Sequence, residues 1–338
     1  MAIRFSRLTL ATVVSLLFSA LLASAANAVE TEPSAERILS KLTSAMRERN
    51  FRGVFTYEHG GSLETMEVTH LVADGREHER YILLNGPEQS MVRGGRESDC
   101  QSLAGRLMRG DLLVSADDRA LRFNEYYHLG VTGYDRVAGR QVAVVQVLPK
   151  DANRYGMSFG IDLESGVLLK VLVMSRKKVL ERMQFVAFEL DPELQPEERS
   201  ALLQNSTGKS CQPRAADEEL ANTVEPAPSP LSPWRPHWVP QGFTLAGSRE
   251  TVEDGVVDTY TDGLASFSIF TKLVPVGPET EDKRLPRGVA QRGATIVLMT
   301  LLPLEKAVVH VTLVGEVPEN AALKVVQSLV AEPSTGSP

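Results

Sequence analysis

Two cysteines, Cys100 and Cys211, are all that the 338 residues contain. They form no C-x-x-C pair, which argues against thiol redox catalysis. Long apolar runs are equally scarce. Beyond residue 22 no segment reaches the roughly 20 residues that a membrane-spanning helix needs. Basic residues are never massed: 36 Lys and Arg stand against 43 Asp and Glu, a net charge of −7. An acidic chain with no sustained basic stretch is a poor binder of nucleic acid. No internal repeat is visible.

Catalytic patterns are missing too. The six histidines, His59, His70, His78, His128, His237 and His310, include no pair at H-E-x-x-H spacing. His78-Glu79 follows a turn within the charged run Arg76 to Arg80 and reads as a solvated strand end. His128 reads as packed against Tyr126 and Tyr127. Ser206-Thr207-Gly208-Lys209-Ser210 imitates the end of a phosphate-binding loop. Leu203 stands where that motif needs a further Gly, and no buried strand precedes it. Gly60-Gly61 and Gly94-Gly95 read as turn glycines. No G-x-S-x-G elbow occurs. The chain therefore reads as a non-enzyme, with no catalytic, cofactor-binding or metal-ligating residues.

What is present begins with an export signal. Arg4 and Arg7 form a positive start, residues 8–22 are almost wholly apolar, and Ala26-Asn27-Ala28 is a small-x-small cleavage site. Residues 1–28 thus read as a cleaved signal peptide, with an uncleaved anchor as the alternative. No Cys lies near the cleavage site to carry a lipid, and Arg4 and Arg7 are not adjacent, which disfavours the twin-Arg route. In an oxidising compartment Cys100 and Cys211 are candidates for one disulfide. It would close a loop of about 110 residues, contributing up to roughly 4.7 kcal/mol. Two unpaired thiols are the alternative.

The rest of the chain divides in two. Ser34 can cap a helix running to about Asn50, with Ile38, Leu42, Ala45 and Met46 as one apolar stripe. The period then changes to two. Phe51–Tyr57, Met66–Val72, Glu79–Leu84, Val142–Leu148, Ser158–Leu163, Val167–Met174 and Val179–Leu190 read as short antiparallel strands joined by tight turns. Residues 193–204 suit a short helix. A linker rich in Pro, Ala and acidic residues follows, assigned to 213–233. Beyond it, strands are expected around 243–249, 256–261, 265–273, 294–300 and 307–315. Just before the third of these Asp262-Gly263 makes a turn. Ala265, Phe267 and Ile269 then share one face, with Ser266 and Ser268 on the other. Pro318 starts a last helix with Ala322, Val325, Val326 and Leu329 as its apolar face. The expectation is an α+β protein: a large domain over 29–212 and a smaller one over 234–332, both built on antiparallel sheets.

Two features suggest binding. The large sheet has a wide apolar face and few helices to cover it. Val54, Phe159, Ile161, Leu169, Val171, Val173 and Phe185 are its candidate lipid-facing residues, and a closed core is the alternative. Trp234, Trp238 and Phe243, with Phe267 and Phe270 of the following strands, are candidates for a partner contact or for the joint between domains.

Wording along the chain carries a resemblance. In the large domain it lies in Phe51-Arg52-Gly53-Val54-Phe55-Thr56-Tyr57, Gly75-Arg76-Glu77-His78-Glu79-Arg80 and Val137-Ala138-Gly139-Arg140. It continues through Leu148-Pro149-Lys150-Asp151, Arg154-Tyr155-Gly156 and Asp162-Leu163-Glu164-Ser165-Gly166-Val167-Leu168-Leu169-Lys170. In the small domain it lies in Trp238-Val239-Pro240-Gln241-Gly242-Phe243, the Asp262–Phe270 strand and Val314-Gly315-Glu316-Val317-Pro318. Taken in order, these stretches resemble the MucB/RseB family of periplasmic negative regulators of the sigma-E envelope-stress pathway. The stretch 275–293 carries no family wording.

The resemblance implies a large domain like the lipoprotein carriers LolA and LolB, with a curved antiparallel sheet and helices on its concave side. It implies a smaller C-terminal α+β domain that helps to hold a partner. That partner is the periplasmic part of a membrane anti-sigma factor of the RseA/MucA kind, shielded from proteolysis until a lipid or lipopolysaccharide signal releases it. The sequence allows a homodimer. The alternative function is a periplasmic lipid or lipoprotein carrier, against which the linker and the last 100 residues or so count, since a lone carrier needs only the first domain.

Overall fold

The computed structural model describes residues 34–86, 89–94, 123–204, 232–251, 254–275, 285–304 and 307–331. Cys100, Cys211, the expected signal peptide over 1–28 and most of the expected linker over 213–233 lie outside the described residues.

Helix α1 (Ala35–Glu48) buries Ile38, Leu39, Leu42, Ala45 and Met46 on one stripe, as spacings of three and four require. The chain then alternates. Strands β1 (Phe51–His59), β2 (Ser62–Ala73), β3 (Arg76–Leu83) and β4 (Gln89–Gly94) step outward as antiparallel neighbours. The β2–β3 turn uses Asp74 and Gly75 at φ 51° and 71°, the left-handed pair that a two-residue hairpin turn demands.

A one-turn helix α2 (Phe123–Tyr126) leads into β5 (Tyr127–Val137) at the far edge. From there β6 (Arg140–Pro149), β7 (Gly156–Asp162), β8 (Leu168–Met174) and β9 (Val179–Leu190) return inward. Strand β9 closes against β1, giving nine strands in the order β4-β3-β2-β1-β9-β8-β7-β6-β5. α1 packs against β5 and β6, and its stripe joins the core built on one face of the sheet. The opposite face meets helix α3 (Pro196–Gln204). Its Glu198 pairs with Arg52 of β1 and with Arg80 of β3, the latter at 2.9 Å.

The second sheet has its own core. Strands β11 (Thr244–Thr251), β12 (Gly255–Thr261), β13 (Ser266–Pro275), β14 (Gly288–Arg292), β15 (Thr295–Pro303) and β16 (Ala307–Gly315) lie in the order β11-β12-β13-β16-β15-β14. Helix α4 (Glu319–Gln327) lays Ala321, Ala322, Val325 and Val326 over Phe267, Ile269, Ile296, Leu298 and Leu313. The short strands β10 (Trp234–Pro236) and β17 (Leu329–Ala331) pair beside it. β14 falls in the stretch without family wording; all five of its residues are exposed, so no alternation marks it as a strand. No helix among the described residues is long and apolar enough to cross a membrane.

Candidate functional site

Six of the seven candidate lipid-facing residues share the large core. Phe159, Ile161, Leu169, Val171, Val173 and Phe185 are each 2% exposed or less. Register explains the grouping: Phe159 stands opposite Val171, and Met157 opposite Val173, so these side chains rise from one face. Val54 is elsewhere. In β1 the inward positions are Phe51, Gly53 and Phe55, and alternation sends the half-buried Val54 to the other face with Arg52. An acyl chain reaches the six only if the elements covering this face give way.

The aromatic candidates of the small domain separate as well. Phe243 and Phe267 pack within its core with their rings tilted, centres 5.3 Å apart. Trp234 and Trp238 lie half-buried against the same core, and Lys324 Nζ sits 3.9 Å from the Trp238 ring. Phe270 lies on the face opposite Phe267 and Ile269 and is half-buried. Of the five, Phe243 sets its ring against a charged group of the large domain, Arg154.

That group is the centre of the joint. Arg154 lies in the β6–β7 connection, its side chain fully buried, as is that of Asp262 at the β12–β13 turn. Asp262 divides its two oxygens. Oδ1 accepts the backbone N–H groups of Leu264 and Ala265 at 2.9 and 2.8 Å, which shapes the turn. Oδ2 accepts Arg154 Nε at 2.7 Å and the Tyr127 hydroxyl at 2.8 Å. Arg154 also donates to Asp151 and to the carbonyl of Gln241. Its guanidinium lies 5.1, 5.7 and 5.2 Å from the ring centres of Tyr126, Tyr127 and Phe243.

A second contact lies at Glu181 of β9. Its Oε2 accepts the Tyr57 hydroxyl and its Oε1 accepts the backbone N–H of Ala294, each at 2.8 Å. Beside it Gln291 donates to the Tyr155 hydroxyl at 3.1 Å and Arg292 to Ser62 Oγ at 3.3 Å. Leu264 and Ala294, though carried by the small domain, are counted within the large core.

The electrostatics follow from burial. Burial disfavours the Arg154 charge, but the hydrogen bond and charge of Asp262 outweigh it and the pKa is raised. Burial, then the charge of Asp262, pushes Tyr127 well above the ordinary phenol value. Burial pushes Tyr155 up to about 12. Tyr57 is raised by burial first and by Glu181 next. These phenols therefore stay protonated; Tyr57 and Tyr127 donate to carboxylates, and Tyr155 accepts from Gln291. Among the described residues no three His, Cys, Asp or Glu are placed to hold a metal ion. The joint is built to fix geometry.

Similarity to known proteins runs through both halves. The MucB/RseB N-terminal domain family matches residues 34–203, and the MucB/RseB C-terminal domain family matches residues 228–330. The chain belongs to the MucB/RseB family. It is 36% identical over 306 residues to the sigma factor AlgU regulatory protein MucB of Pseudomonas aeruginosa, covering 87% of this chain and 90% of that one. It is 26% identical over 326 residues to the sigma-E factor regulatory protein RseB of Haemophilus influenzae, covering 93% and 96%. Among solved structures, MucB in complex with MucA(peri) superposes with a TM-score of 0.66 at 31% identity, covering 89% of this chain and all of that one. Both sheets of this MucB/RseB member thus fall within its family's two domains. Arg154, Asp262, Tyr57 and Glu181 escaped the reading for site residues. Three of them, Arg154, Asp262 and Tyr57, lie in stretches that carried the family resemblance.

Proposed function

We propose that this protein is a periplasmic negative regulator of a sigma-E-type pathway. It binds the periplasmic part of a membrane anti-sigma factor of the RseA/MucA kind, shields it from regulated proteolysis, and releases it on meeting lipid or lipopolysaccharide. One observation carries the reading: a MucB captured with MucA(peri) matches this chain across both domains, over 89% of its length. Export through residues 1–28 puts the two proteins in one compartment.

Physically the regulator is a two-ligand device. A lipid that binds the large domain and an anti-sigma segment held with the help of the small domain weaken each other by the same coupling free energy. The face bearing Phe159, Val171 and Phe185 is the apolar surface offered to an acyl chain. Because it is buried in this state, lipid entry and a change of shape go together, which a release signal requires.

Calorimetric titration with the periplasmic segment of the cognate anti-sigma factor, with and without a soluble acyl lipid, tests the reading. Tight binding that weakens with lipid is expected. No binding, but lipid uptake, would overturn it in favour of a carrier.

A further inference from the structure

We propose that Arg154 is the positioning residue that makes the two domains one body. The inference rests on the partner-binding reading for its consequence and on the joint itself for its mechanism. Each sheet has a separate core, and Leu264 and Ala294 are the small-domain side chains that reach the larger one among the described residues. Polar contacts must therefore hold much of the joint, and Arg154 gathers several of them. The planar guanidinium presents donors in a fixed fork. Here Nε serves Asp262, one terminal nitrogen serves Asp151 and the other the Gln241 carbonyl. Two of the three acceptors belong to the small domain. The rings around it come from both domains, Tyr126 and Tyr127 from one and Phe243 from the other.

Position in the chain adds a second role. Arg154 and Tyr155 immediately precede β7, and both bond to the small domain. Met157, Phe159 and Ile161 of the same strand lie in the buried apolar core. One strand thus starts at the joint and runs into the face offered to lipid. A displacement of β7 there is transmitted to Arg154. A partner that contacts both domains binds a preformed surface while Arg154 is engaged, and two loosely tethered halves when it is not.

The small domain offers a wedge beside these contacts. Gly242, at φ +90°, lies against Tyr126 so closely that a Cβ would stand 2.5 Å from Tyr126 Cε2. Gly242→Ala therefore crowds the joint while keeping the Arg154 side chain, and also strains the turn at its positive φ.

The test is scanning calorimetry and small-angle scattering on the two-domain protein, with titration against the anti-sigma segment. Wild type is expected to melt in one transition. Arg154→Ala and Gly242→Ala are each expected to melt in two, with an enlarged radius of gyration and partner affinity lowered at least about tenfold, the scale of lost avidity between linked sites. Arg154→Lys keeps the charge but not the fork and is expected to fall between. A residue that only stabilised the fold would lower the melting temperature without splitting the transition. A single transition and an unchanged radius in folded Arg154→Ala and Gly242→Ala would overturn the proposal. If Arg154→Ala does not fold, Arg154→Lys and Gly242→Ala decide together, and a single transition with an unchanged radius in both would overturn the proposal. If wild type fails to bind the anti-sigma segment, the partner reading falls while the calorimetric result still judges the joint.

Discussion

Phe185 occupies the space that a side chain at Gly53 would need. A Cβ there would stand 2.6 Å from two atoms of the Phe185 ring and from the carbonyl of Ala187. The ring packs at 5.5 Å from Phe55 and 5.6 Å from Phe188, centre to centre. A glycine inside a strand weakens it, and its use here marks a close approach. Gly53→Ala overpacks the core and is expected to cost about 1–3 kcal/mol in urea unfolding. Phe185→Leu in the same chain should restore only part of this, because the Ala187 carbonyl is backbone and cannot yield. Wild-type stability in Gly53→Ala would refute the close packing.

His70 should make the large domain sensitive to mild acid. Its ring is fully buried, stacked on Phe51 at 4.8 Å, with Nδ1 2.9 Å from the Arg49 carbonyl. Since a carbonyl only accepts, Nδ1 carries the proton. Nε2 has no partner among the described residues. Burial lowers the pKa, against the smaller opposing effects of the Arg49 bond and Glu77. Above about pH 6.5 the ring is neutral in both folded and unfolded chains, and its contribution is fully present. As pH falls below that value the unfolded chain takes a proton that the folded one resists, and stability is lost. Urea midpoints should fall between pH 7 and pH 5, and His70→Phe should flatten the slope. An equal slope in the variant would remove His70 as the cause.

Periodicity made most of the secondary structure legible. The α1 stripe and the alternation of Ala265, Phe267 and Ile269 follow directly from periods of 3.6 and 2. Val54 misled because a branched apolar residue invites burial, whereas the true inward position beside it, Gly53, has no side chain to announce itself. Glu79 read as solvated yet is 3% exposed, since its charged neighbours in sequence point to the other face. Leu84, the last residue of the strand expected over Glu79–Leu84, is 51% exposed just past the end of β3. The Arg154–Asp262 pair was invisible for a different reason. The two residues lie 108 positions apart, and each has a sufficient local explanation, a loop cation and an Asp-Gly turn. Only the tertiary fold shows that one carboxylate serves both the turn and the joint.

The turn after β7 should be a point of high sensitivity. Arg140 grips both oxygens of Asp162 at 2.9 and 2.8 Å, and Ser165 donates to Asp162 through its hydroxyl at 2.6 Å and its backbone N–H at 2.8 Å. Burial raises the Asp162 pKa, but these hydrogen bonds, led by Arg140, outweigh it and leave the pKa lowered. The stability this supplies is present above the unfolded carboxylate pKa of about 3.9 and is lost as pH falls further. Asp162→Ala strands the turn donors, while Arg140 keeps Glu164 as a partner, and should cost about 1–3 kcal/mol. Chemical unfolding at pH 7 checks this, and a cost under about 1 kcal/mol would contradict it.

Removing residues 234–338 should leave a folded large domain that no longer holds the anti-sigma segment at full affinity. The large core draws on α1 and on strands β1, β2 and β5 to β9, and among the described residues Leu264 and Ala294 are the buried small-domain residues that join it. Truncation opens the joint to water instead of burying orphans. Arg154 keeps Asp151, Glu181 keeps the Tyr57 hydroxyl, and solvent replaces Asp262 and the Ala294 N–H. The domain therefore loses some stability but not its fold, which circular dichroism of residues 29–212 would report. Affinity should fall sharply, because a surface shared by two domains loses one of them. Full-affinity binding by residues 29–212 would place the whole partner surface on the large sheet and make the joint irrelevant to binding.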